Sequence, residues 1–500
     1  MKTESPSLKT KKIRPDKIII PLLIIVFIYS GCKLSYNDIS LGKETETGDE
    51  IEGFPRDNYG YVIYDIDDAR IVRGHNVNKE FTPASVTKLF TALFADEILG
   101  DDYTFSTTLS YDGKISGSTL TGNLYLKGSG DPELSINELQ VIADSIKTKK
   151  IKDITGNFYF DESCFTTRDM LDKDMPAEAY YNAGISPLTF NSNIIYALQR
   201  KSSDGRIKSA DLIPALPSFS AYIYKEDLPY PFLKFRYNED KEIWGLPDKN
   251  LWEKRQQLPV KHPGLFTAQT LQNICAIRGI KLPSPKSGEA VPSVKTISEI
   301  KSRPLAAIIK NMLFTSNNMT AELIYAVSSD TYIRKGNLKN NSANAIEEFF
   351  RSGFTGIEWS NFRIVKASGL TSLNRATPAQ TSAVLLFIEK NNKENFKLER
   401  ILPLSGWDGT MRGRLDQPGG AFRIYGKTGS IFYASGLAGI FYGGSGKRYI
   451  FTVYINDNAG RSEYDKKSGK TAEDLNRCGI WTKKAADGID KFVLKMIEEL

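Results

Sequence analysis

Histidine is nearly absent from this chain, since only His75 and His262 occur among its 500 residues. Their local sequence is typical of loops, and we interpret both as surface residues rather than general bases. A Ser-His-Asp triad therefore has little support. A serine enzyme would need another base, for which lysine is the known substitute. The same shortage argues against a zinc site.

Cysteine is also scarce, with four residues and no Cys-x-x-Cys pair. Beyond Cys32 the number is odd, which excludes a complete disulfide framework but leaves one bridge open among Cys164, Cys275 and Cys478. The formal net charge is only +7, and no basic stripe with aromatic readout residues is present, so nucleic-acid binding is not expected. The length of 500 residues predicts two or three domains.

The N-terminus has the pattern of an export signal. Basic residues up to Lys17 precede a mostly apolar run from Ile18 to Tyr29, and small residues lead to Cys32. This run is shorter than the roughly 20 residues that cross a bilayer. Residues 1–32 are therefore predicted to be a signal peptide rather than a membrane span.

Cys32 is the expected site of lipid attachment. Tyr29-Ser-Gly-Cys32 resembles a bacterial lipobox, in which the cysteine is lipidated after cleavage, although Tyr29 stands where an aliphatic residue is usual. An uncleaved signal anchor is the alternative. Residues 33–52 are polar and acidic, and they predict a flexible tether to the membrane.

Hydrophobic periodicity indicates several elements beyond the tether. Alternating segments at 61–66 and 69–72 predict a β-hairpin, and a helical pattern begins at Ser85 and runs to Leu99, before Gly100. Short strands separated by Gly, Asp and Pro then indicate a β-rich insertion. The other predicted elements are helices at 267–278, 305–313, 319–327 and 481–500, and a hairpin of strands 435–442 and 449–455.

Ser85 and Lys88 are candidates for a nucleophile and its base. Three residues apart on a helix, they lie on one face and can meet, and the helix N-terminus would stabilise a developing anion at Ser85. Burial would lower the pKa of Lys88 toward a value that suits a base. The Ser-x-x-Lys pattern alone is weak, because Ser298-Glu-Ile-Lys301 matches it equally well.

The order of three motifs strengthens the assignment. Ser316-Asn-Asn318 opens a predicted helix downstream of Ser85, and Lys427-Thr-Gly429 follows on the approach to a strand. Lys-Thr-Gly occurs only once in the chain. A Ser-x-x-Lys, Ser-x-Asn and Lys-Thr-Gly series in this order is the signature of penicillin-interacting serine enzymes.

The motifs lie in phrases that resemble the class C, low-molecular-mass penicillin-binding proteins, a family of D-Ala-D-Ala carboxypeptidases and endopeptidases. The phrases are Phe81-Thr-Pro-Ala-Ser-Val-Thr-Lys-Leu89, Gly122-Asn-Leu-Tyr-Leu-Lys-Gly-Ser-Gly-Asp-Pro132, Ser316-Asn-Asn-Met-Thr-Ala-Glu322, Leu402-Pro-Leu-Ser-Gly-Trp-Asp-Gly-Thr410 and Gly426-Lys-Thr-Gly-Ser430. The resemblance implies an α/β (α+β) fold, in which a β-lactamase/transpeptidase-like domain holds an antiparallel sheet flanked by helices. This domain would comprise residues 53–104 plus 262–500, with β-rich inserted domains at 105–261.

The resemblance also implies an acyl-transfer mechanism. Ser85 attacks the carbonyl of the penultimate D-Ala, and Lys88 accepts its proton. Ser316 relays a proton to the leaving amine, while Asn318 holds the substrate amide and Lys88. Lys427 anchors the terminal carboxylate.

Thr428, Gly429 and Ser430 are the implied substrate-binding residues. Thr428 would hydrogen-bond the carboxylate, and the N–H groups of Ser85 and Ser430 would form the oxyanion hole. The implied substrates are peptidoglycan stem peptides on the periplasmic side of the cell envelope, with β-lactams as covalent inhibitors. No metal or organic cofactor is implied.

Two stretches depart from the family pattern. Lys366-Ala-Ser-Gly-Leu-Thr-Ser372 stands where the family often has Asp-Gly-Ser-Gly-Leu-Ser-Arg, and Phe432 stands where it often has Gln. These positions resemble those that contact the diamino acid of the stem peptide, so the preferred diamino acid stays open. Arg375 is a candidate to replace the missing arginine.

Two alternatives remain. A β-lactamase or esterase of the same fold has Tyr-x-Asn as its second motif, which Tyr180-Tyr-Asn182 would supply, although Ser316 matches the family phrase better. A binding protein that has lost turnover is disfavoured because all three motifs are intact. The sequence leaves open the balance of carboxypeptidase and endopeptidase activity, the membrane that holds the lipid, and the oligomeric state.

Overall fold

The computed structural model describes residues 39–42, 46–173, 175–225, 233–238, 241–248, 255–337, 344–467 and 471–500. The strands, numbered in chain order, are β1 (Tyr59–Asp65), β2 (Arg70–His75), β3 (Ser106–Tyr111), β4 (Lys114–Ser116), β5 (Thr119–Thr121), β6 (Leu124–Gly128), β7 (Asp153–Ile154), β8 (Phe158–Asp161), β9 (Ile194–Lys201), β10 (Ile207–Ile213), β11 (Phe219–Tyr224), β12 (Lys234–Asn238), β13 (Lys241–Pro247), β14 (Arg255–Pro259), β15 (Pro285–Ser287), β16 (Lys295–Lys301), β17 (Ile424–Ile431), β18 (Ala434–Tyr442) and β19 (Arg448–Asn456). The helices are α1 (Lys88–Leu99), α2 (Ile136–Thr148), α3 (Pro263–Ile277), α4 (Leu305–Thr315), α5 (Asn318–Arg334), α6 (Ala345–Gly353), α7 (Pro378–Asn391), α8 (Leu398–Ile401), α9 (Asn458–Lys466) and α10 (Ala472–Glu499).

A five-stranded antiparallel sheet, in the order β17-β18-β19-β1-β2, lies at the centre of the fold. Both hairpins predicted from the sequence, β1 with β2 and β18 with β19, are confirmed within it. All residues of β1 and nearly all of β18 and β19 are buried. Such continuous burial is expected of strands whose two faces are both covered by helices.

Alternate residues of β19 contact helices on opposite faces of this sheet. Val453 and Ile455 belong to a hydrophobic cluster that includes one side of α10. Thr452 and Tyr454 lie on the other face, next to α7, where the Tyr454 hydroxyl is 2.8 Å from the hydroxyl of Thr381. The two-residue period of a strand therefore builds a helix–sheet–helix arrangement from one apolar run.

A β-rich region lies between α1 and α4. Its largest sheet has the order β15-β8-β6-β3-β16, and the smaller sheets include β10-β9-β14 and β11-β13-β12. Helix α3 packs into the same hydrophobic cluster as these strands, and β15 and β16 pair with β8 and β3 although they follow residue 261. The division into domains stays a prediction, and we propose that the insertion extends to Lys301.

Much of the predicted export segment lies outside the described residues. This applies to residues 1–38, with the signal peptide and Cys32, and to residues 43–45. The described part of the predicted tether packs against the body, because Ile39 and Ile51 are buried and the N–H of Thr47 donates to the carbonyl of Gly74 at 2.8 Å. No helix within the described ranges combines the length and apolar character needed to cross a membrane.

The described histidines and cysteines, which are scarce in the sequence, are buried or partly buried. His75 is buried at the end of β2, so its interpretation as a surface residue is wrong. Its Nδ1 lies 2.9 Å from a carboxylate oxygen of Glu46, and its Nε2 lies 3.0 Å from the carbonyl oxygen of Arg56. Among the described residues, Cys164, Cys275 and Cys478 are free thiols.

Candidate active site

Ser85 and Lys88 lie together at the start of α1. Residues Ala84–Thr87 form a 3₁₀ turn that leads into the helix, and the positive φ of +48° at Ala84 turns the chain just before Ser85. The spacing brings Lys88 Nζ to 3.1 Å from Ser85 Oγ. Lys88 is 0% exposed whereas Ser85 is partly exposed, so the hydroxyl is accessible and the amine is held behind it.

The amine of Lys88 has three hydrogen-bond acceptors. Besides Ser85 Oγ, it donates to Asn318 Oδ1 at 2.8 Å and to the carbonyl of Ser368 at 2.6 Å. Burial lowers the pKa of Lys88 well below its ordinary value, and the positive charge of Lys427 lowers it further. A low pKa favours the neutral amine, which can accept the proton of the Ser85 hydroxyl.

Ser316 and Lys427 form a second hydrogen-bonded pair. Ser316 is the C-cap residue of α4, with a left-handed φ of +56°, and only Asn317 separates it from α5. Lys427 Nζ donates to Ser316 Oγ at 3.0 Å and to the carbonyl of Thr428 at 2.6 Å. Burial lowers the pKa of Lys427 to about 7. The Thr428 hydroxyl donates to the hydroxyl of Thr410 at 3.0 Å.

Two glycines allow the chain to approach Ser85 closely. A Cβ at Gly429 would lie 2.6 Å from the carbonyl oxygen of Pro83, so β17 passes directly against the turn that carries the serine. Gly369 has a φ of +80°, and a Cβ there would lie 1.9 Å from the carbonyl oxygen of Ala84. Neither contact leaves room for a side chain, which explains why glycine occupies both positions.

The competing Ser-x-x-Lys pattern has a different setting. Ser298 and Lys301 lie on β16, which pairs with β3. Residues three apart on a strand point to opposite faces, so these two side chains cannot form a nucleophile–base pair. The two Ser-x-x-Lys patterns are identical as sequence motifs, and their secondary structure distinguishes them.

The alternative Tyr-x-Asn motif lies in the β-rich region. Tyr180 is 58% exposed. Asn182 is buried and uses its side chain within its own loop, where Oδ1 accepts from the N–H of Asp172 at 2.8 Å and Nδ2 donates to the carbonyl of Pro176 at 3.1 Å. These bonds give Asn182 a loop-stabilising position, whereas Asn318 contacts Lys88.

Arg375, the candidate replacement for the missing arginine, and Phe432 both contact neighbouring residues in the structure. Arg375 donates to the carbonyl of Ser372 at 2.6 Å and to the Thr82 hydroxyl at 3.1 Å. It therefore holds the backbone of Ser372 close to Thr82, which precedes the turn that carries Ser85. Phe432 is exposed and packs edge-on against Tyr464, with ring centroids 5.2 Å apart.

Sequence reasoning assigned no role to three groups around Lys88. The Ser368 carbonyl is one, and the buried Glu322 and its partner Arg168 are the others. The sequence does contain a signal that places Glu322 near Asn318. Glu322 follows Asn318 by four residues on α5, and helical spacing predicts that the two share a face. The contact of Glu322 with Arg168 joins residues 154 positions apart, for which the sequence has no local signal.

Several known proteins are similar to this chain. The model of the D-Ala-D-Ala carboxypeptidase 3 (S13) family matches residues 45–475. D-alanyl-D-alanine carboxypeptidase DacB from Haemophilus influenzae is 25% identical over 419 residues, which cover 80% of this chain and 85% of that protein. Carboxypeptidase DacB from Mycolicibacterium smegmatis is 31% identical over 233 residues, or 44% of this chain and 47% of that protein.

The fold of the chain is similar to that of a solved penicillin-binding protein. The crystal structure of penicillin binding protein 4 (dacB) from Haemophilus influenzae aligns with a TM-score of 0.69 at 23% identity, covering 85% of this chain and 96% of that one. The predicted fold class is thereby confirmed, and so is the predicted family. Because the family match spans most of its length, the chain belongs to the D-Ala-D-Ala carboxypeptidase 3 (S13) family of hydrolases.

Proposed function

We propose that the chain is a serine-type D-Ala-D-Ala carboxypeptidase, a DD-endopeptidase, or both. It would act on peptidoglycan stem peptides through an acyl-enzyme at Ser85 and be inhibited by β-lactams. The observation that carries this proposal is the meeting of three distant motifs, in which Lys88 bonds Ser85 and Asn318 while Lys427 bonds Ser316.

Acylation depends on the neutral form of the Lys88 amine. The neutral amine, 3.1 Å from Ser85 Oγ, takes the hydroxyl proton as the oxygen attacks the carbonyl carbon of the penultimate D-Ala. The N–H groups of Ser85 and Ser430 would stabilise the oxyanion, and losing one such donor typically costs about 10²–10³ in rate. Ser316 would relay the proton held by Lys88 to the leaving amine as the peptide bond breaks, which frees D-Ala or the cross-linked peptide and returns Lys88 to its neutral form.

Deacylation reverses this proton transfer. Lys88 takes a proton from water, the hydroxide attacks the acyl carbon, and the proton returns to Ser85 Oγ as the ester breaks. Lys427 and Thr428 would hold the terminal carboxylate of the substrate, since a buried ammonium and an adjacent hydroxyl suit that group. A β-lactam would acylate Ser85 in the same way and remain attached.

The test is incubation of the purified chain with a stem pentapeptide that ends in D-Ala-D-Ala and with a cross-linked stem-peptide dimer. We expect free D-Ala from the first and monomers from the second, and the absence of both products would contradict the proposal.

The variant Ser316→Ala tests the proposed proton relay. Its rate of D-Ala release should fall about 10²-fold or more because the proton relay is lost. Tyr180→Phe should keep the wild-type rate, and loss only in Tyr180→Phe would favour the β-lactamase or esterase alternative.

We also propose that the protein is exported and attached to a membrane through lipid on Cys32. The support is the signal-peptide pattern of residues 1–32 and the lipobox-like segment that ends there. Cells fed a labelled fatty acid should label the wild-type protein and leave Cys32→Ser unlabelled. Equal labelling of both proteins, or of neither, would contradict lipid attachment at this residue.

A further inference from the structure

Glu322 connects to the catalytic lysine through a backbone carbonyl. It lies on α5 with only 2% of its surface exposed. Its Oε1 accepts from the N–H of Ser368 at 2.9 Å, and the carbonyl of the same Ser368 accepts from Lys88 Nζ at 2.6 Å. Glu322 therefore fixes the residue that supplies one of the three acceptors around the base.

The other carboxylate oxygen of Glu322 faces the β-rich region. Its Oε2 lies 3.4 Å from Nη2 of Arg168, whose side chain is 41% exposed. The backbone of Arg168 is held in place by reciprocal hydrogen bonds with Ile185, at 2.9 and 2.8 Å. The junction segment, defined as residues 165–173 and 175–185, thus places a cation against the carboxylate behind the active site.

The junction segment is also packed against α5. Leu171 and Ile185 form a hydrophobic cluster with Met319 and Leu323, which flank Glu322 on the helix. A second polar contact lies at the same junction, where Lys366 Nζ donates to the carbonyl of Leu171 at 2.7 Å. Apolar packing and polar contacts together fix the position of Arg168 relative to Glu322.

We propose that Glu322 and Arg168 are positioning residues through which the junction segment holds the Ser368 carbonyl against Lys88 and sets the charge around that lysine. The inference rests on the proposed function, in which Lys88 is the base. A buried carboxylate beside an ammonium favours its charged form, and a cation on the far side of the carboxylate weakens that influence. The negative charge of Glu322 accordingly raises the pKa of Lys88, opposing burial and Lys427.

Other titratable groups face this arrangement from the neighbouring elements. The positive charge of Lys427, on β17, lowers the pKa of Lys88. Lys366 lies at the junction, with its Nζ 3.8 Å from a carboxylate oxygen of Asp172. Burial raises the pKa of Tyr325, on α5, to about 12, so this group is neutral near pH 7. Glu347 on α6 is paired with Arg351 at 3.1 Å. The substitutions below leave these groups unchanged.

The test is the pH dependence of the acylation rate with a β-lactam. The acidic limb of that profile reports the protonation of Lys88. Glu322→Gln keeps an acceptor for Ser368 but removes the negative charge, so the limb should move to lower pH by about one pH unit. Arg168→Met should move it to higher pH, by a smaller amount because Arg168 is partly exposed.

Two further variants separate electrostatics from folding. Arg168→Lys keeps the positive charge and should restore the limb toward its wild-type position. Arg278→Met breaks a comparable ion pair, with Asp144, on the outside of the β-rich region and should not move the limb. Because Arg168 is partly exposed, its variants decide the question even where Glu322→Gln does not fold.

The inference is overturned if the acidic limb of the acylation profile stays at its wild-type pH in Arg168→Met. It is also overturned if that limb moves in the same direction as in Glu322→Gln. Failure of the proposed function gives a different result, because the wild-type protein would then not be acylated at Ser85 at all. If the wild-type protein is acylated but the acidic limb does not move in the variants, only the role of Glu322 and Arg168 is contradicted.

Discussion

Replacement of Ser85 by alanine is expected to abolish covalent labelling by a fluorescent penicillin and the release of D-Ala. The Ser85 hydroxyl is the one bonded to the buried amine of Lys88, at 3.1 Å, and methyl cannot form an acyl-enzyme. Loss of the nucleophile in another serine peptidase costs on the order of 10⁶ in rate. The measurement is labelled protein on a denaturing gel, with the residual D-Ala release rate as a second readout.

Ser298→Ala is the matched control for this prediction. It removes the serine of the second Ser-x-x-Lys pattern, whose lysine, Lys301, lies on the opposite face of β16. We expect wild-type labelling, and both variants should keep a melting temperature within a few degrees of wild type, since neither serine is in the core. Labelling that survives in Ser85→Ala, or is lost in Ser298→Ala, contradicts the assignment of the nucleophile.

The local elements of the fold were predictable from the sequence. The hairpin of β18 and β19 follows from two apolar runs around a glycine-rich turn, and α1 ends before Gly100, which adopts a φ of +90°. The final helix begins earlier than predicted, at Ala472, because the side chain of Thr471 caps it together with Asp474. Short-range hydrogen bonds and periodicity fix such features, so neighbouring residues reveal them.

Contacts between distant residues were much harder to predict. The motif order predicted that Ser85, Ser316 and Lys427 share a site, and the structure brings their side chains and Lys88 together. The burial of His75 was missed because Glu46, its partner, lies in a segment that looks like a tether. The contribution of Ser368 is a carbonyl, which every residue possesses, so no side-chain pattern marks it.

The second large effect is expected at Gly369. A Cβ there would lie 1.9 Å from the carbonyl oxygen of Ala84 and 3.0 Å from the nitrogen of Ser85, so Gly369→Ala must displace the backbone that carries the nucleophile. Misplacement of a reacting group by about 1 Å costs on the order of 10² in rate. We therefore expect the acylation rate constant to fall about 10²-fold or more.

Gly205→Ala separates displacement of Ser85 from general backbone strain. Gly205 has nearly the same φ, +83°, but a Cβ there would meet nothing within 4 Å. Gly205→Ala should lose about 1–2 kcal/mol of unfolding free energy in urea, because an L-residue with positive φ is strained. Gly369→Ala should lose more than that, because the contact with the Ala84 carbonyl adds to the same strain. Only Gly369→Ala should lose acylation as well. Equal acylation rates in the two folded variants would show that the contact between Gly369 and Ala84 does not position Ser85, whereas a loss confined to Gly369→Ala ties the rate to that contact.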